Sequence, residues 1–430
     1  MTPGKSTLSL AFVLTIALAQ AAGAEPTLGS RADDAAKLFR ADPGGYDALF
    51  APSFLAAVPA EQLTPLLQRC FAQLGACTAI RPLDAAGAYQ GKFQFEFEKG
   101  FHAEVDLAVD AAPPHLITGF FIRPPAVSAK TLDDVIAQFK SLPGTTSLYV
   151  GAISDDGVKP MAQLNSDQPL AIGSAFKLFV LAELVRELDA GERRWTDVIR
   201  LEDASRSLPS GFLGKWPVGS PLTLHTLAGL MISQSDNTAA DQMIHTLGRE
   251  KVEGILADAG MADPRRDVPF LTTLEMFKLK SDAGGKLMGE FLADSAADRR
   301  KLLEGAVAAV PRDAVGSYAT PRHVADVEWF ASTADLGRVM RWLLLHTADA
   351  HAADARGILS INPGLGFPEG QWKYVGYKGG SEPGVINMTF LLQSDSKQWL
   401  TVSATWNDPD KAVDETRFAA LVQQAVELAR

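Results

Sequence analysis

Cysteine and histidine are scarce in this chain of 430 residues, which holds two cysteines and seven histidines. The histidines form no HxxxH or HxH grouping and two cysteines do not make a zinc site, so the sequence predicts no metal centre and no cofactor. Cys70 and Cys77 would form a disulfide in an oxidising compartment if geometry allows it, or remain two buried thiols. Both interpretations stay open at this point.

Clusters of positive charge are also missing. The chain has 40 Lys and Arg against 51 Asp and Glu, a formal net charge of -11. Nucleic acid and anionic membrane surfaces are therefore poor partners. The hydrophobic content of 47% is enough to bury a large core. A chain of this length suggests two or three domains.

The apolar run Leu8 to Leu18 is shorter than the about 20 residues that a membrane span needs. It follows Lys5 and precedes Ala22-Gly23-Ala24, which is typical of a cleaved signal peptide over residues 1–24. The alternative is an uncleaved N-terminal anchor. Because Glu25 and not a cysteine follows the cleavage point, we expect no lipoprotein anchor. The pattern predicts export to the periplasm or the medium, with no stable membrane attachment.

Residues 25–123 are predicted to form a small α+β domain. Helical apolar spacing at Asp33 to Arg40 and Glu61 to Leu74 gives way to period-two strand patterns such as Tyr89 to Glu98. This order resembles the cone-shaped fold of nuclear transport factors and steroid isomerases. The resemblance is one of pattern, and we expect the alternating phenylalanines to be plain core rather than a ligand cup.

The proline-containing residues 124–131 are predicted to be a linker, and residues 132–430 a second domain. Strand patterns occur near both ends of this domain, for example at Ser147 to Ser154 and Val385 to Gln393, and enclose a mostly helical middle. The fold class is therefore α/β (α+β).

A serine and a lysine three residues apart, Ser174 and Lys177, open a helical pattern. This spacing puts both side chains on one helix face. Serine needs an adjacent base to act as a nucleophile, and a lysine serves when burial and a second cation, here Lys378, lower its pKa. A second copy of the spacing, Ser394 to Lys397, falls in a polar turn and is interpreted as a solvated loop.

Two more short motifs follow in the chain. Ser235-Asp236-Asn237 is, taken alone, an ordinary helix N-cap. Lys378-Gly379-Gly380 ends a strand and is, taken alone, a common lysine before a glycine turn. In the order Ser-x-x-Lys, Ser-Asp-Asn, Lys-Gly-Gly, however, the three motifs predict the active site of a serine acyl-transfer enzyme.

The motifs resemble those of class A β-lactamases and penicillin-binding proteins, over about Leu132 to Arg430. Ala331 to Leu336 is similar to the start of the helix that follows the omega loop of this family. The resemblance implies a β-lactamase-like αβα sandwich with an antiparallel sheet and an all-helical subdomain. With the N-terminal domain added, the chain is similar to the two-domain serine hydrolases related to the cephalosporin esterase of clavulanic acid biosynthesis.

The resemblance implies roles for the catalytic residues. Ser174 would be acylated, Lys177 would take its proton, and Ser235 would relay a proton to the leaving group. The substrate-binding residues would be Asn237, Lys378, Gly380 and Ser381. Within that set, Lys378 would pair with a substrate carboxylate and Asn237 would orient the substrate. The backbone N–H groups of Ser174 and Ser381 would form the oxyanion hole.

Two departures from the motifs of the family indicate that this chain does not hydrolyse penicillins efficiently. The E-x-x-L-N motif that carries the deacylating glutamate is missing between the second and third motifs. Three glutamates in this stretch are candidates for its role but lack the surroundings of the motif, namely Glu275, Glu290 and Glu328. Glu328 lies only four residues before Ser332 and is expected to be too close to the following helix. Gly379 stands where the family usually has threonine.

The stretch Asp263 to Glu328 is longer than expected and would form a lid or an altered pocket wall. The leading hypothesis is an exported, monomeric serine hydrolase that acts on a small β-lactam-like or ester substrate, with slow β-lactam turnover as one form of it. The alternatives are a D,D-peptidase-like peptidoglycan enzyme and a β-lactam sensor that is acylated once.

Overall fold

The computed structural model describes residues 27–85, 87–282, 284–348 and 352–430. These form two compact units that meet in sequence between Arg123 and Pro124. The signal peptide predicted at residues 1–24 lies outside the described residues. Within the described ranges, no helix has both the length and the apolar character needed to cross a bilayer.

The first unit is an antiparallel sheet with helices. Its elements are α1 (Leu28–Ala36), α2 (Pro52–Ala57), α3 (Ala60–Leu74), β1 (Cys77–Ala85), β2 (Gln90–Phe97), β3 (Phe101–Val109) and β4 (Ile117–Ile122). Four strands pair in the order β1-β2-β3-β4. Phe93, Phe95 and Phe97 of β2 all point into the core. Phe39 packs edge-on against the last two, with ring centroids 6.1 and 5.0 Å apart. Aromatic rings therefore pack under this sheet, as expected of plain core.

Cys70 and Cys77 are free thiols in this structure. Burial raises the pKa of Cys77 to about 11, so this thiol keeps its proton at neutral pH. Of the two alternatives, a disulfide or two thiols, the structure therefore has two free thiols.

The second unit contains the remaining elements. They are β5 (Ala126–Val127), α4 (Leu132–Lys140), β6 (Thr145–Ser154), β7 (Gly157–Leu164), β8 (Leu170–Ala171), α5 (Lys177–Asp189), β9 (Val198–Arg200), β10 (Pro221–Thr223), α6 (Leu224–Ser233), α7 (Asn237–Leu247), α8 (Arg249–Asp258), α9 (Thr273–Lys280), α10 (Lys286–Ala293), α11 (Ala296–Leu302), β11 (Phe330–Ala331), α12 (Thr333–His346), α13 (Asp354–Ser360), β12 (Tyr374–Glu382), β13 (Val385–Gln393), β14 (Trp399–Asn407) and α14 (Glu415–Leu428).

The main sheet of this unit is antiparallel, with the order β12-β13-β14-β6-β7. Side chains alternate between its faces. On one face, Gly337 of α12 lies against Tyr149 and Thr401. On the other face, Trp406 packs on Phe418 of α14. Helices on both faces of an antiparallel sheet confirm the predicted αβα fold class.

Helix α5 is the centre of the helical subdomain. It is buried along nearly its whole length and contacts α7, α8 and α12. This is the environment that its apolar pattern predicts. The described part of residues 263–328 includes the α-helices α9 to α11, and α9 contributes Met276 and Phe277 to the wall of the main cavity.

Candidate active site

A cavity of about 820 Å³ in the second unit brings the three motifs together. The predicted site residues that line it are Ser174, Ser235, Asn237, Lys378, Gly380 and Ser381. Lys177 completes the set, because its amine lies 3.1 Å from the Ser174 hydroxyl oxygen. Residues far apart in the chain therefore share one cleft.

The local backbone aligns Ser174 with Lys177. Gly173–Phe176 forms a 3₁₀ turn that leads into α5. Residues three apart eclipse one another in such a turn, so the two side chains meet. Gly173 has φ 48°, and a Cβ there would lie 3.2 Å from the Ser381 backbone nitrogen. A glycine suits both the left-handed backbone and the close approach of β12.

The amine of Lys177 has an arrangement suited to a base. It lies 2.7 Å from the Ser235 carbonyl oxygen and 2.7 Å from Asn237 Oδ1, and both of these atoms can only accept hydrogen bonds. A neutral amine that donates its two hydrogens there presents its lone pair to a hydroxyl group. Ser174 Oγ at 3.1 Å and Ser235 Oγ at 3.2 Å are the hydroxyls within reach.

Electrostatics favours that neutral form. Burial lowers the pKa of Lys177 well below its ordinary value. Lys378 lowers it further, against the opposing effect of Asp241 and Asp236. Burial also lowers the pKa of Lys378, to about 7. Removing an amine from water disfavours its charged form, and the two lysines repel each other when both are charged.

Ser235 links the two lysines. Its hydroxyl lies 3.2 Å from Lys177 Nζ and accepts a hydrogen bond from Lys378 Nζ at 3.0 Å. Its φ of 53° is unusual for a residue other than glycine. The Ser210 hydroxyl donates to its carbonyl at 2.7 Å and helps to hold this conformation. Asp236 caps α7 through Ala239, so the cap predicted for this motif coexists with the site.

The amide of Asn237 is engaged within the protein. Its oxygen accepts from Lys177, and its nitrogen donates to the Leu208 carbonyl at 2.6 Å. The resemblance implied that Asn237 orients the substrate. In this structure its amide contacts Lys177, and the role towards a substrate stays a prediction.

The strand β12 lies directly against the 3₁₀ turn that carries Ser174. A Cβ at Gly380 would lie 2.3 Å from both the Ser174 nitrogen and the Ile172 carbonyl oxygen. The backbone N–H groups of Ser174 and Ser381 therefore stand at the same edge of the cavity, where an oxyanion hole needs its donors.

Sequence reasoning missed Tyr377. A Cβ at Gly379 would lie 2.1 Å from the Tyr377 hydroxyl oxygen, which therefore occupies the space of the family's threonine side chain. Tyr377 lines the cavity and packs on Phe390, with ring centroids 4.9 Å apart. The sequence did contain one indication of this role. Tyr377 lies two residues before Gly379 on the same strand, and side chains two residues apart on a strand share one face.

The three glutamates that the sequence left without a role differ in position. Glu275 forms an ion pair with Arg249 at 2.6 Å and caps α9, and Glu290 is exposed on α10. Glu328, by contrast, is buried and lines the cavity, so the expectation that it is too close to α12 was wrong. Its neighbour Trp329 accepts a hydrogen bond from the Ile172 nitrogen at 3.0 Å, which holds this segment beside the turn that carries Ser174. The described residues hold no group of three His, Cys, Asp or Glu side chains that could bind a metal ion.

Comparisons with known proteins agree with this architecture. Residues 128–319 match the model of a family described as the β-lactamase enzyme family. A β-lactamase from Sphaerobacter thermophilus is 23% identical, with a TM-score of 0.50, over 69% of this chain and 95% of its own.

A β-lactamase from Francisella tularensis is 16% identical, with a TM-score of 0.50, over 69% of this chain and 98% of its own. No curated protein matches the chain. The described architecture and these matches give the second unit a β-lactamase-like fold.

Proposed function

We propose that this chain is an exported serine hydrolase that acts through an acyl-enzyme on β-lactam-like or ester substrates. One observation carries the proposal. Ser174 Oγ, Lys177 Nζ, Ser235 Oγ and Lys378 Nζ form a continuous chain of contacts of 3.0 to 3.2 Å beside the cavity. Such a chain moves a proton from the nucleophile towards a leaving group.

Acylation follows from this geometry. Neutral Lys177 takes the proton of Ser174 as the serine oxygen attacks the substrate carbonyl carbon. The backbone N–H groups of Ser174 and Ser381 stabilise the oxyanion that forms. Ser235 then passes a proton to the departing nitrogen or oxygen, and the carbon–leaving-group bond breaks.

Two groups suit an anionic substrate. Lys378 supplies the cation for a substrate carboxylate, and the Tyr377 hydroxyl supplies a donor where the family has a threonine. Apolar side chains such as Met276 and Phe277 line the same cavity and suit an uncharged acyl group. A small β-lactam or an acyl ester with a carboxylate combines these features.

Hydrolysis of a chromogenic cephalosporin and of an acetoxy-ester cephalosporin tests the proposal. We expect Ser174→Ala to lose at least 10³-fold in kcat/KM on both, since a serine nucleophile has no substitute in the site. The matched control is Ser394→Ala in the second Ser-x-x-Lys copy, which should retain full activity. Full activity in Ser174→Ala contradicts the proposal.

The rival functions give different results on other substrates. A D,D-peptidase releases D-alanine from peptidoglycan stem peptides, and a sensor is acylated by a β-lactam once without further turnover. Analysis of muropeptides after incubation with the protein tests the D,D-peptidase, because no release of D-alanine argues against it. A steady rate of cephalosporin hydrolysis argues against the sensor, which would stop after one acylation.

A further inference from the structure

A cluster of charged and polar side chains occupies part of the wall of the cavity that holds Ser174. Lys280 at the end of α9 makes salt bridges to both Glu328 and Glu382. The Tyr318 hydroxyl donates to Glu382 Oε2 at 2.7 Å. Glu328, Glu382 and Tyr318 all line the cavity that holds Ser174.

The cluster has one more carboxyl group than it has cations. Lys280 and Glu328 are fully buried at their side chains and Glu382 is nearly so. Glu328 Oε2 is buried and has no hydrogen-bond partner in the part of the chain described here. Burial, and next the neighbouring Glu382, raise the pKa of Glu328 well above its ordinary value, against the effect of Lys280. One proton held between the two carboxyl groups satisfies the orphaned oxygen.

The position of Glu382 follows from the strand. Lys378, Gly380 and Glu382 alternate along β12 and share one face. Gly380 lies against the Ser174 nitrogen, and Glu382 is two residues further on, about 7 Å along the strand. Glu382 therefore lies towards the end of β12 opposite to Lys378, and its side chain lines the cavity that also holds Ser174.

We propose that the Glu328–Glu382 carboxyl pair is the general base for hydrolysis of the acyl-enzyme, with Glu382 contacting the water and Lys280 and Tyr318 positioning it. This inference rests on the proposed function. It provides the base that the missing E-x-x-L-N motif leaves unassigned.

In the hydrolysis of the acyl-enzyme, the carboxyl pair takes one proton from a water molecule while the water oxygen bonds to the acyl carbonyl carbon. The oxyanion is held by the N–H groups of Ser174 and Ser381. When it collapses, the bond from carbon to Ser174 Oγ breaks, and the proton returns to that oxygen directly or through Lys177. A carboxylic acid product leaves and the free enzyme is restored.

The test compares acylation and deacylation of the full chain by intact mass spectrometry after rapid mixing with a β-lactam. We expect Glu382→Gln to form the Ser174 adduct at nearly the wild-type rate and to lose it about 10²-fold to 10⁴-fold more slowly, the usual effect of losing a general base. The control is Glu369→Gln, an exposed glutamate outside the cavity. Equal deacylation rates in wild type and Glu382→Gln overturn the inference.

A second variant separates catalysis from a structural role. Glu328→Gln removes the like-charged neighbour but keeps an oxygen acceptor for Lys280. Because Glu328, whose pKa is raised by burial and by the neighbouring carboxyl group, no longer titrates in this variant, the acid limb of the deacylation rate is expected to move to lower pH. A purely structural role lowers stability and leaves the limb unmoved. Arg322, which lies over the Tyr318 ring, is present in every variant.

The outcomes distinguish this inference from the proposed function. If wild type forms no adduct at Ser174, the proposed function is wrong. If wild type forms and releases the adduct, and both glutamine variants release it at the wild-type rate with the wild-type pH profile, only the inference is wrong.

Discussion

At the scale of single residues, the proposed mechanism requires two neighbouring lysines to be in different protonation states. Lys177 must be neutral to take a proton, and Lys378 must be charged to bind a carboxylate. Both are buried, and their pKa values are both lowered. The Ser235 hydroxyl between them accepts a hydrogen bond from Lys378 and, in the proposed mechanism, passes a proton to the leaving group.

The pKa of Lys378, lowered to about 7 by burial, predicts a pH dependence. Above that pH the free enzyme loses the cation that binds an anionic substrate, so kcat/KM should fall as the pH rises from 7 to 9. A neutral ester does not need the cation and should lack this alkaline limb. Steady-state kinetics with one anionic and one neutral ester checks the prediction, and parallel profiles contradict it.

The Tyr377 hydroxyl gives a second residue-scale prediction. Tyr377→Phe keeps the ring packing and removes one hydrogen bond to the substrate carboxylate, worth about 1 kcal/mol or roughly a fivefold increase in KM. Neutral esters should be unaffected. The control is Tyr89→Phe, which changes an exposed tyrosine of the first unit. Equal KM values for Tyr377→Phe and wild type on an anionic substrate rule out this role.

At the scale of elements, the site is made by the contact between strand β12 and the 3₁₀ turn that carries Ser174. No side chain fits between them at Gly380, since a Cβ there would lie 2.3 Å from backbone atoms of the turn. The oxyanion donors belong to these two elements. Their separation is therefore fixed by backbone packing and not by adjustable side chains.

Gly380→Ala tests this contact. The added methyl must push β12 away from the turn, which moves one oxyanion donor and is expected to lower kcat by about 10²-fold or more. Gly254→Ala on α8, where a Cβ meets no atom within 4 Å, is the matched control and should leave kcat unchanged. Wild-type kcat in Gly380→Ala would show that the contact tolerates a side chain. Thermal melts report whether either variant is destabilised.

A buried carboxyl group links the segment before α9 to β11. Asp267 Oδ1 accepts from the Phe330 nitrogen at 2.9 Å, and burial raises the pKa of Asp267 to about 8. The native state thus holds a proton that the unfolded chain releases near pH 4. Stability is lost as pH rises between these values, by at most about 1.4 kcal/mol per pH unit.

Asp267→Asn removes this titration and keeps an oxygen acceptor for the Phe330 nitrogen. Between pH 6 and pH 8, the Tm of the wild type should therefore fall relative to the Tm of Asp267→Asn. Thermal denaturation at several pH values measures it. A difference in Tm that stays constant with pH contradicts the assignment.

At the scale of the whole molecule, the sequence predicted more of the site than of its surroundings. Periodicity predicted β2 to β4 of the first unit, the strands of the main sheet of the second unit and the buried helix α5, because apolar spacing records which faces are buried, but it did not predict β1. The motifs Ser174 to Lys177, Ser235 to Asn237 and Lys378 to Gly380 share one cavity, as their order predicted.

Features that need several elements at once were not predictable. The carboxyl pair forms only because the end of α9, the segment before β11 and the end of β12 meet, and no local pattern around Glu328 indicates this. The Tyr377 hydroxyl occupies the space of the family's threonine only because the Tyr377 side chain points towards Gly379, and the sequence does not specify that direction. In the stretch 263–328, where a lid or an altered pocket wall was expected, α9 contributes Met276 and Phe277 to the wall of the cavity.

The central claim is that Ser174 becomes covalently acylated, and locating the adduct tests it most directly. The full chain is mixed with a β-lactam, quenched in acid within seconds, digested and analysed by tandem mass spectrometry. The account predicts the added substrate mass on the peptide that contains Ser174, and no adduct in Ser174→Ala. An adduct on another residue, or substrate turnover that persists in Ser174→Ala, contradicts it.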